Sequence, residues 1–331
     1  MIMHTHNKGI VLISVLFIVL MLSAIGASMS KTYFLSLKRE SFVSFENNAI
    51  QYSNNIETLS KQEILKQFRP TRRYTSKSMS LFSDPIRVET ENGELIARIN
   101  DASGCYNINS LVESINKEYI PNTRAILGLK RLFELLDYDD NQVNELIDQM
   151  LDWIDKDTQP RSDGLEDYFY TGPMSEVKQY TAERLFYHTS ELRNLPASRY
   201  IDWTHVDKYL CAYPSTEEFK VNINMLNESH DYLLAALIPT ININDARAMI
   251  QEIPEDGFTN ANELYSSFPD IKFNQTLLPI SLTSEVFILE TMINNQEFQV
   301  NSRTLIAVSY THLRAHETRE DLVCRRLREK K

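Results

Sequence analysis

The residues best equipped for chemistry lie between Asp152 and Tyr170, DWIDKDTQPRSDGLEDYFY. Six carboxylates (Asp152, Asp155, Asp157, Asp163, Glu166 and Asp167) interleave there with Trp153, Ile154, Leu165, Tyr168, Phe169 and Tyr170. Packing the apolar side chains draws the carboxylates together, and their repulsion then calls for a counter-ion. Calcium suits such a set, because it takes six to eight oxygen ligands on a flexible loop. With Asp155 as the first position, Asp157, Gln159, Asp163 and Glu166 fall at the third, fifth, ninth and twelfth, the spacing of an EF-hand. The sixth position of that motif requires glycine and here is Pro160, and no amphipathic helix clearly follows, so the loop is not an EF-hand. Two other readings stand beside calcium: a solvated acidic loop, and a general acid–base pair in a hydrolase. No nucleophile elbow, HExxH or phosphate-binding loop accompanies the acids, and His188, His205 and His230 are scattered and read as structural.

The loop follows a helical pattern, and residues 107–282 as a whole read as helical. An internal echo runs through them: Asn107-Ile-Asn-Ser-Leu-Val resembles Asn222-Ile-Asn-Met-Leu-Asn. Each is followed by two amphipathic helices, over Thr123–Leu136 and Asn141–Ile154 in the first copy and over Glu228–Leu237 and Asp245–Ile253 in the second. An Asn or Asp stands where each N-cap belongs. The second pair is similar to a helix-hairpin-helix, but its turn, Pro239-Thr-Ile-Asn-Ile, lacks the glycine that lets backbone N–H groups reach phosphate. The sequence carries a net charge of −11, and its last residues, from Tyr310 to Lys331, are basic, so the body is more acidic still. Such a body repels phosphate backbones, which favours a protein-packing module over a DNA-binding one.

On either side of this region the pattern changes. Ile86 to Ile99 alternates apolar and polar residues around Asn92-Gly93, a hairpin signal, and Val286 to Val308 does so around Asn294-Asn295, with Phe287, Leu289, Met292, Phe298, Val300 and Leu305 as its apolar members. Arg69–Ser83 reads as an exposed loop. Before it, Ile10 to Met29 is an uncharged run whose helical length, roughly 30 Å, matches a bilayer core. No glycine or proline interrupts Ala27 to Arg69, so one rod is predicted from Ile10 to Phe68, with an apolar stripe at Phe42, Phe45, Ala49, Tyr52, Ile56 and Leu59. A signal peptide, a signal anchor and a prepilin-type leader all fit the N-terminus. Lys8-Gly9 directly before the apolar run, and the unbroken helix after it, favour the third, with cleavage between Gly9 and Ile10. Cys105, Cys211 and Cys324 are too few for a disulfide scaffold and lack metal spacing; Cys105 and Cys211 can pair in an oxidising compartment if the fold brings them together.

Together these residues resemble the K-type minor pseudopilin of the type II secretion system (general secretion pathway protein K). Lys8-Gly9, a serine (Ser14) where most prepilin-like proteins carry glutamate, and Asp101-Ala-Ser-Gly-Cys-Tyr-Asn-Ile-Asn-Ser-Leu carry part of the match. The family's run D-W-x-D-x-D-x-x-P-x-x-x-G-x-E-D-x-Y is met by Asp152, Trp153, Asp155, Asp157, Pro160, Gly164, Glu166 and Asp167, with Phe169 in the final tyrosine's place. Val221-Asn-Ile-Asn and Leu233-Leu-Ala-Ala-Leu-Ile-Pro match a second block. The resemblance implies an α+β fold: a pilin-like long N-terminal helix and antiparallel sheet with a large inserted all-α domain, SAM-like or helix-hairpin-helix-like. The expected divisions are a leader (1–9), a membrane-spanning part (10–30), the pilin-like helix and first strands (31–106), the inserted domain (107–282) and the last strands (283–308).

The resemblance further implies a non-enzymatic, single-pass inner-membrane protein with its bulk in the periplasm, at the tip of the pseudopilus. Its partners would be the H-, I- and J-type minor pseudopilins, the major pseudopilin, the inner-membrane assembly platform and the prepilin peptidase, with no nucleic acid. It implies calcium held by Asp155, Asp157, Glu166 and Asp167, with Asp163 as a further candidate. A disulfide at Cys105 would be particular to this chain. The match ends at Val308; residues 309–331 read as a non-native tail, with an amphipathic helix through Leu313, Leu322, Val323 and Leu327 as the other reading. The functional alternatives are a membrane-anchored periplasmic hydrolase using the acidic loop and a helix-hairpin-helix DNA-uptake protein.

Overall fold

The structure is a computed structural model that describes residues 8–67, 74–91, 93–173, 178–215, 218–308 and 324–327. Residues 1–7 of the expected leader, Asn92 of the first turn, part of the loop at 68–73 and most of the expected tail lie outside the described residues.

Helix α1 (Lys8–Gln67) is a single rod of 60 residues, about 90 Å long. Its two halves differ in what they touch. The apolar residues from Val11 to Leu37 are all exposed. The second half packs on a sheet through Phe45, Ala49, Ile56 and Ile64, which are buried, with Tyr52 partly covered. The predicted stripe is therefore shifted at its lower end. Leu59 is 58% exposed, whereas Ser60 is fully buried and Ile64 continues the contact line. Phe42 is also largely exposed, yet its ring meets Phe298 edge-on at 5.4 Å between centroids.

That sheet is built from β1 (Ile86–Thr90), β2 (Gly93–Asp101), β3 (Val286–Asn294) and β4 (Gln299–Ala307), all antiparallel and in that spatial order. Strand alternation sends Leu95, Ala97 and Ile99 of β2 and Phe287, Leu289 and Ile293 of β3 into the core under α1. Met292 belongs to the opposite face; Thr291 takes the buried place beside it in sequence. Beyond β4 the backbone of Cys324–Leu327 adds an outer antiparallel strand, with Cys324 opposite Ile306.

The described residues between β2 and β3 form a second core, a mainly helical lobe that, against the all-α expectation, also holds an antiparallel hairpin of Val112–Ile115 with Glu118–Pro121. It contains α2 (Thr123–Leu135), α3 (Asp140–Ile154), α4 (Asp167–Thr171), α5 (Asp231–Leu237), α6 (Ile243–Gln251) and α7 (Ala261–Ser267). The echoed asparagines organise two copies of one motif. Asn107 and Asn222 each cap a short 3-10 helix by accepting from the N–H of Asn109 and Asn224. The buried Asn109 side chain then forms a two-bond clamp on Phe186, donating to its carbonyl at 2.8 Å and accepting from its N–H at 2.8 Å. Asn224 does the same to Phe258, at 3.0 and 2.8 Å. Each copy closes with a parallel strand bridge, Tyr106 beside Leu210 and Val221 beside Ile280. Gly257, at φ +70°, turns the chain into the second clamp, where a Cβ would lie 2.7 Å from the Asn224 side chain. Replacing Asn109 by Ala strands a buried donor and a buried acceptor on Phe186. We expect this to lower stability by about 2 kcal/mol, read from urea unfolding, with a similar loss for Asn224→Ala.

The lobe is fastened beside the C-terminal end of α1. Thr75, just after the rod, donates its N–H to Leu282 at 2.7 Å, accepts at its hydroxyl from the N–H of Ser284 at 3.0 Å, and accepts at its carbonyl from Asn222 at 3.3 Å. Lys77 donates to the carbonyl of Leu226. The apolar half of α1 thus lies at the opposite end of the rod from the lobe.

Candidate metal centre

The acidic loop is what the first copy of the motif has and the second lacks. Ile154 to Phe186 spans the step that Gln251 to Phe258 makes in a single turn. The loop leaves α3, which is capped at its start by Asp139 accepting from the N–H groups of Asn141 and Gln142. Its apolar face (Val143, Leu146, Ile147, Met150, Ile154) enters the core, and that burial fixes the last turn. Asp152 stands on the other side of this turn and is fully buried beneath the returning loop; Asp155 follows at the helix end. Glu166 returns to meet them just before α4 and is 2% exposed. One oxygen from each of Asp152, Asp155 and Glu166 lies within 4.8 Å of the others.

Two neighbours make this convergence fit. Gly164 packs against the Asp152 carboxylate so closely that a Cβ would stand 1.9 Å from Oδ2. Tyr170, itself buried, meets the Trp153 ring edge-on at 5.4 Å and closes the floor. Arg161, in the middle of the loop, donates its N–H to Asp152 Oδ2 at 3.1 Å, while its guanidinium bridges Asp152 and Asp155, at 2.6 Å from Asp155 Oδ2.

The electrostatics are those of an under-neutralised anionic pocket. Burial pushes Glu166 up to about 7, and the negative charges of Asp152, Asp155, Asp157 and Asp167 add to the shift. Asp152 and Asp155 are also raised by burial, against the opposing pull of Arg161. Asp155 Oδ1 and Glu166 Oε1 are buried without a hydrogen-bond partner. Stranded carboxylate oxygens of this kind are costly, and a cation is the natural remedy.

The residues fit a hard divalent cation. Two oxygens on one such ion lie at most about 5 Å apart, which the triad meets, and an all-carboxylate set suits calcium, magnesium or manganese rather than zinc. Of the sequence candidates, Asp155 and Glu166 are in the triad. Asp157 is exposed and accepts from the N–H of Gln159, Asp163 is exposed with its N–H on Asp148, and Asp167 accepts from Thr181 at 2.8 and 2.9 Å. Asp152 belongs to the acidic run but not to the candidate ligands; it stands on the face of α3 opposite the apolar stripe and is buried by the loop folding back over it at Arg161 and Gly164, which the helical pattern does not announce. His188 and His230 cap short helices, accepting from Ser190 and Asn227.

Family models for protein K of the type II secretion system match residues 104–215 and 221–280. The chain belongs to the type II secretion system protein K family. Membership makes it a structural secretion component, and the hydrolase alternative lapses. Both copies of the motif fall inside the matched segments, and the acidic loop falls in the first. A type II secretion system protein K from Pectobacterium carotovorum subsp. carotovorum is 25% identical over 93% of this chain and 94% of its own length. One from Klebsiella pneumoniae is 25% identical over 91% and 93%. A chain in the crystal structure of the GspK-GspI-GspJ complex from enterotoxigenic Escherichia coli aligns with a TM-score of 0.68 at 22% identity, covering 82% of this chain and 94% of that one. At that identity it supports the shared α+β fold of long helix, antiparallel sheet and helical lobe.

Proposed function

We propose that this protein K family member caps the periplasmic pseudopilus of a type II secretion system. The observation that carries the reading is the position of the lobe: it sits beside the end of α1 opposite the apolar run, which is the one described helix long and apolar enough to cross a membrane. A subunit built this way has a bulky head where another subunit of a helical fibre would stack. Ser14, in place of the glutamate that would pair with a neighbour's N-terminal amine, supports the same end position. The pilin-like assignment of α1 and the sheet, and the SAM-like or helix-hairpin-helix-like character of the lobe, belong to this proposal.

Before assembly, residues 10–30 hold the chain in the inner membrane and the remainder lies in the periplasm. Prepilin peptidase cuts between Gly9 and Ile10. In the fibre the exposed apolar face of α1 packs beside other pseudopilin helices, with I- and J-type minor pseudopilins as immediate neighbours and H-type, major pseudopilin and the assembly platform beyond. The hairpin of the second motif copy is occupied within the chain: Arg131 donates to the carbonyls of Ala235 and Ile241, and the start of α6 is capped reciprocally by Asn242 and Asp245. That use supports a packing role and a protein that takes no nucleic acid.

Calcium is the ion we propose for the triad. When bound it supplies the positive charge that Asp152, Asp155 and Glu166 need to remain ionised together. These residues tie the last turn of α3 to the approach of α4, so the loop is held to the lobe by its ligands. Expressed in full with candidate minor pseudopilins and extracted in detergent, the chain is expected to co-purify with I- and J-type subunits and to begin at Ile10. A mature chain that begins near Ser28 and runs alone overturns the proposal.

A further inference from the structure

Arg161 occupies the charge of the site from inside the chain. Its guanidinium takes Asp152 Oδ1 and Asp155 Oδ2, while Asp155 Oδ1 and the 2%-exposed Glu166 Oε1 stay without a partner. One guanidinium thus pairs with two of the three converging carboxylates. The same three residues form the convergent triad that a divalent cation would need. We propose that Arg161 is a tethered competitor for the cation: its side chain and the ion exclude each other, and the centre alternates between an arginine-closed state and a cation-bound state. This rests on the reading of the triad as a cation site.

The geometry allows the exchange without dismantling the loop. Two separate contacts join Arg161 to Asp152, one through the backbone N–H and one through the side chain. The backbone contact and the Gly164 N–H on the Arg161 carbonyl, at 3.2 Å, keep the turn in place when the guanidinium leaves. The side chain is a quarter exposed, so it has a path to solvent. A planar fork spans two carboxylates at once, which a lysine ammonium does less well. A site held by arginine nine-tenths of the time binds a ligand about tenfold more weakly than the open site.

The test is calorimetric titration of the full, detergent-solubilised chain with calcium alone, after chelation, for the parent, Arg161→Gln and Arg161→Lys. Competition predicts that Arg161→Gln binds calcium about tenfold more tightly than the parent, with Arg161→Lys between them. It also predicts that the cation-free Arg161→Gln protein melts below the cation-free parent, because Asp152 and Asp155 lose the one ion-pair partner they have among the described residues. Equal or weaker calcium binding by Arg161→Gln overturns the proposal and makes Arg161 a support for the ligands. Should neither parent nor Arg161→Gln bind calcium while both keep native circular dichroism, the cation reading itself fails, and the competitor with it.

Discussion

Chelating divalent cations from the full chain is expected to lower its melting temperature by about 10 °C, and returning calcium is expected to restore it. A ligand at about a thousand times its dissociation constant stabilises the folded state by about 4 kcal/mol, and in a domain of this size each kcal/mol moves the midpoint by about 2–4 °C. The variants sharpen the test because two effects oppose each other. Glu166→Gln removes a buried charge that repels Asp152 and Asp155, so the cation-free variant should melt at or above the cation-free parent. The same change removes a ligand, so calcium should raise its midpoint little. Gly164→Ala attacks the site without touching a ligand: the new Cβ has no room beside Asp152 Oδ2, and the calcium response should shrink. A parent whose melting is indifferent to chelator, by differential scanning calorimetry, removes the metal from the account.

Opening the Cys105–Cys211 bond is the second change expected to act strongly. These cysteines are bonded, with Cα atoms 5.8 Å apart and a sequence separation of 106. The bond lies at the parallel bridge that sets Tyr106 beside Leu210 and Asn107 beside Cys211, and so closes the first motif copy around the acidic loop. A cross-link over a loop of this length restricts the unfolded chain by about 4.7 kcal/mol in the loop-entropy treatment. The double variant Cys105→Ser, Cys211→Ser should lose that much in urea unfolding relative to the oxidised parent. Reductant should bring the parent to the variant's value and leave the variant unmoved. A loss below about 1 kcal/mol would show that the strand bridge and the Asn107 contacts to Tyr213 hold this junction without the bond.

Much of the architecture was legible because local patterns and tertiary packing agree. Alternation around Gly93 and around Asn294-Asn295 marked the hairpins, and the repeated Asn-Ile-Asn marked the two motif copies. Each of its asparagines is a local cap and a long-range clamp at once. The stripe on α1 departs from expectation at Leu59 because steps of three and of four from Ile56 both fit the helical period, and the contact follows the second, through Ser60 and Ile64. The composition of the acidic loop announced converging carboxylates, but which of them converge was harder to read. Counting positions as in an EF-hand favours Asp157 and Asp163, yet Pro160 and the Arg161–Gly164 turn send that part of the loop to the surface. Asp152 is buried because that same turn folds back over the far face of α3, where Arg161 covers it and Gly164 makes space for it. The partnership of Cys105 with Cys211 depends on a bridge between strands of two residues each, too short to leave a sequence signature.

The neck of the lobe has a mechanical consequence. The chain leaves the sheet at Asp101 and re-enters at Val286 on adjacent antiparallel strands, with the Ala102 N–H on the Val286 carbonyl at 3.0 Å and Asp101 opposite Phe287. A load along the rod would therefore pass to the head through β2 and β3 side by side and in the same sense, so it would not pull the ladder between them apart. The strap at Thr75 lies alongside and stops the head from hinging about that neck.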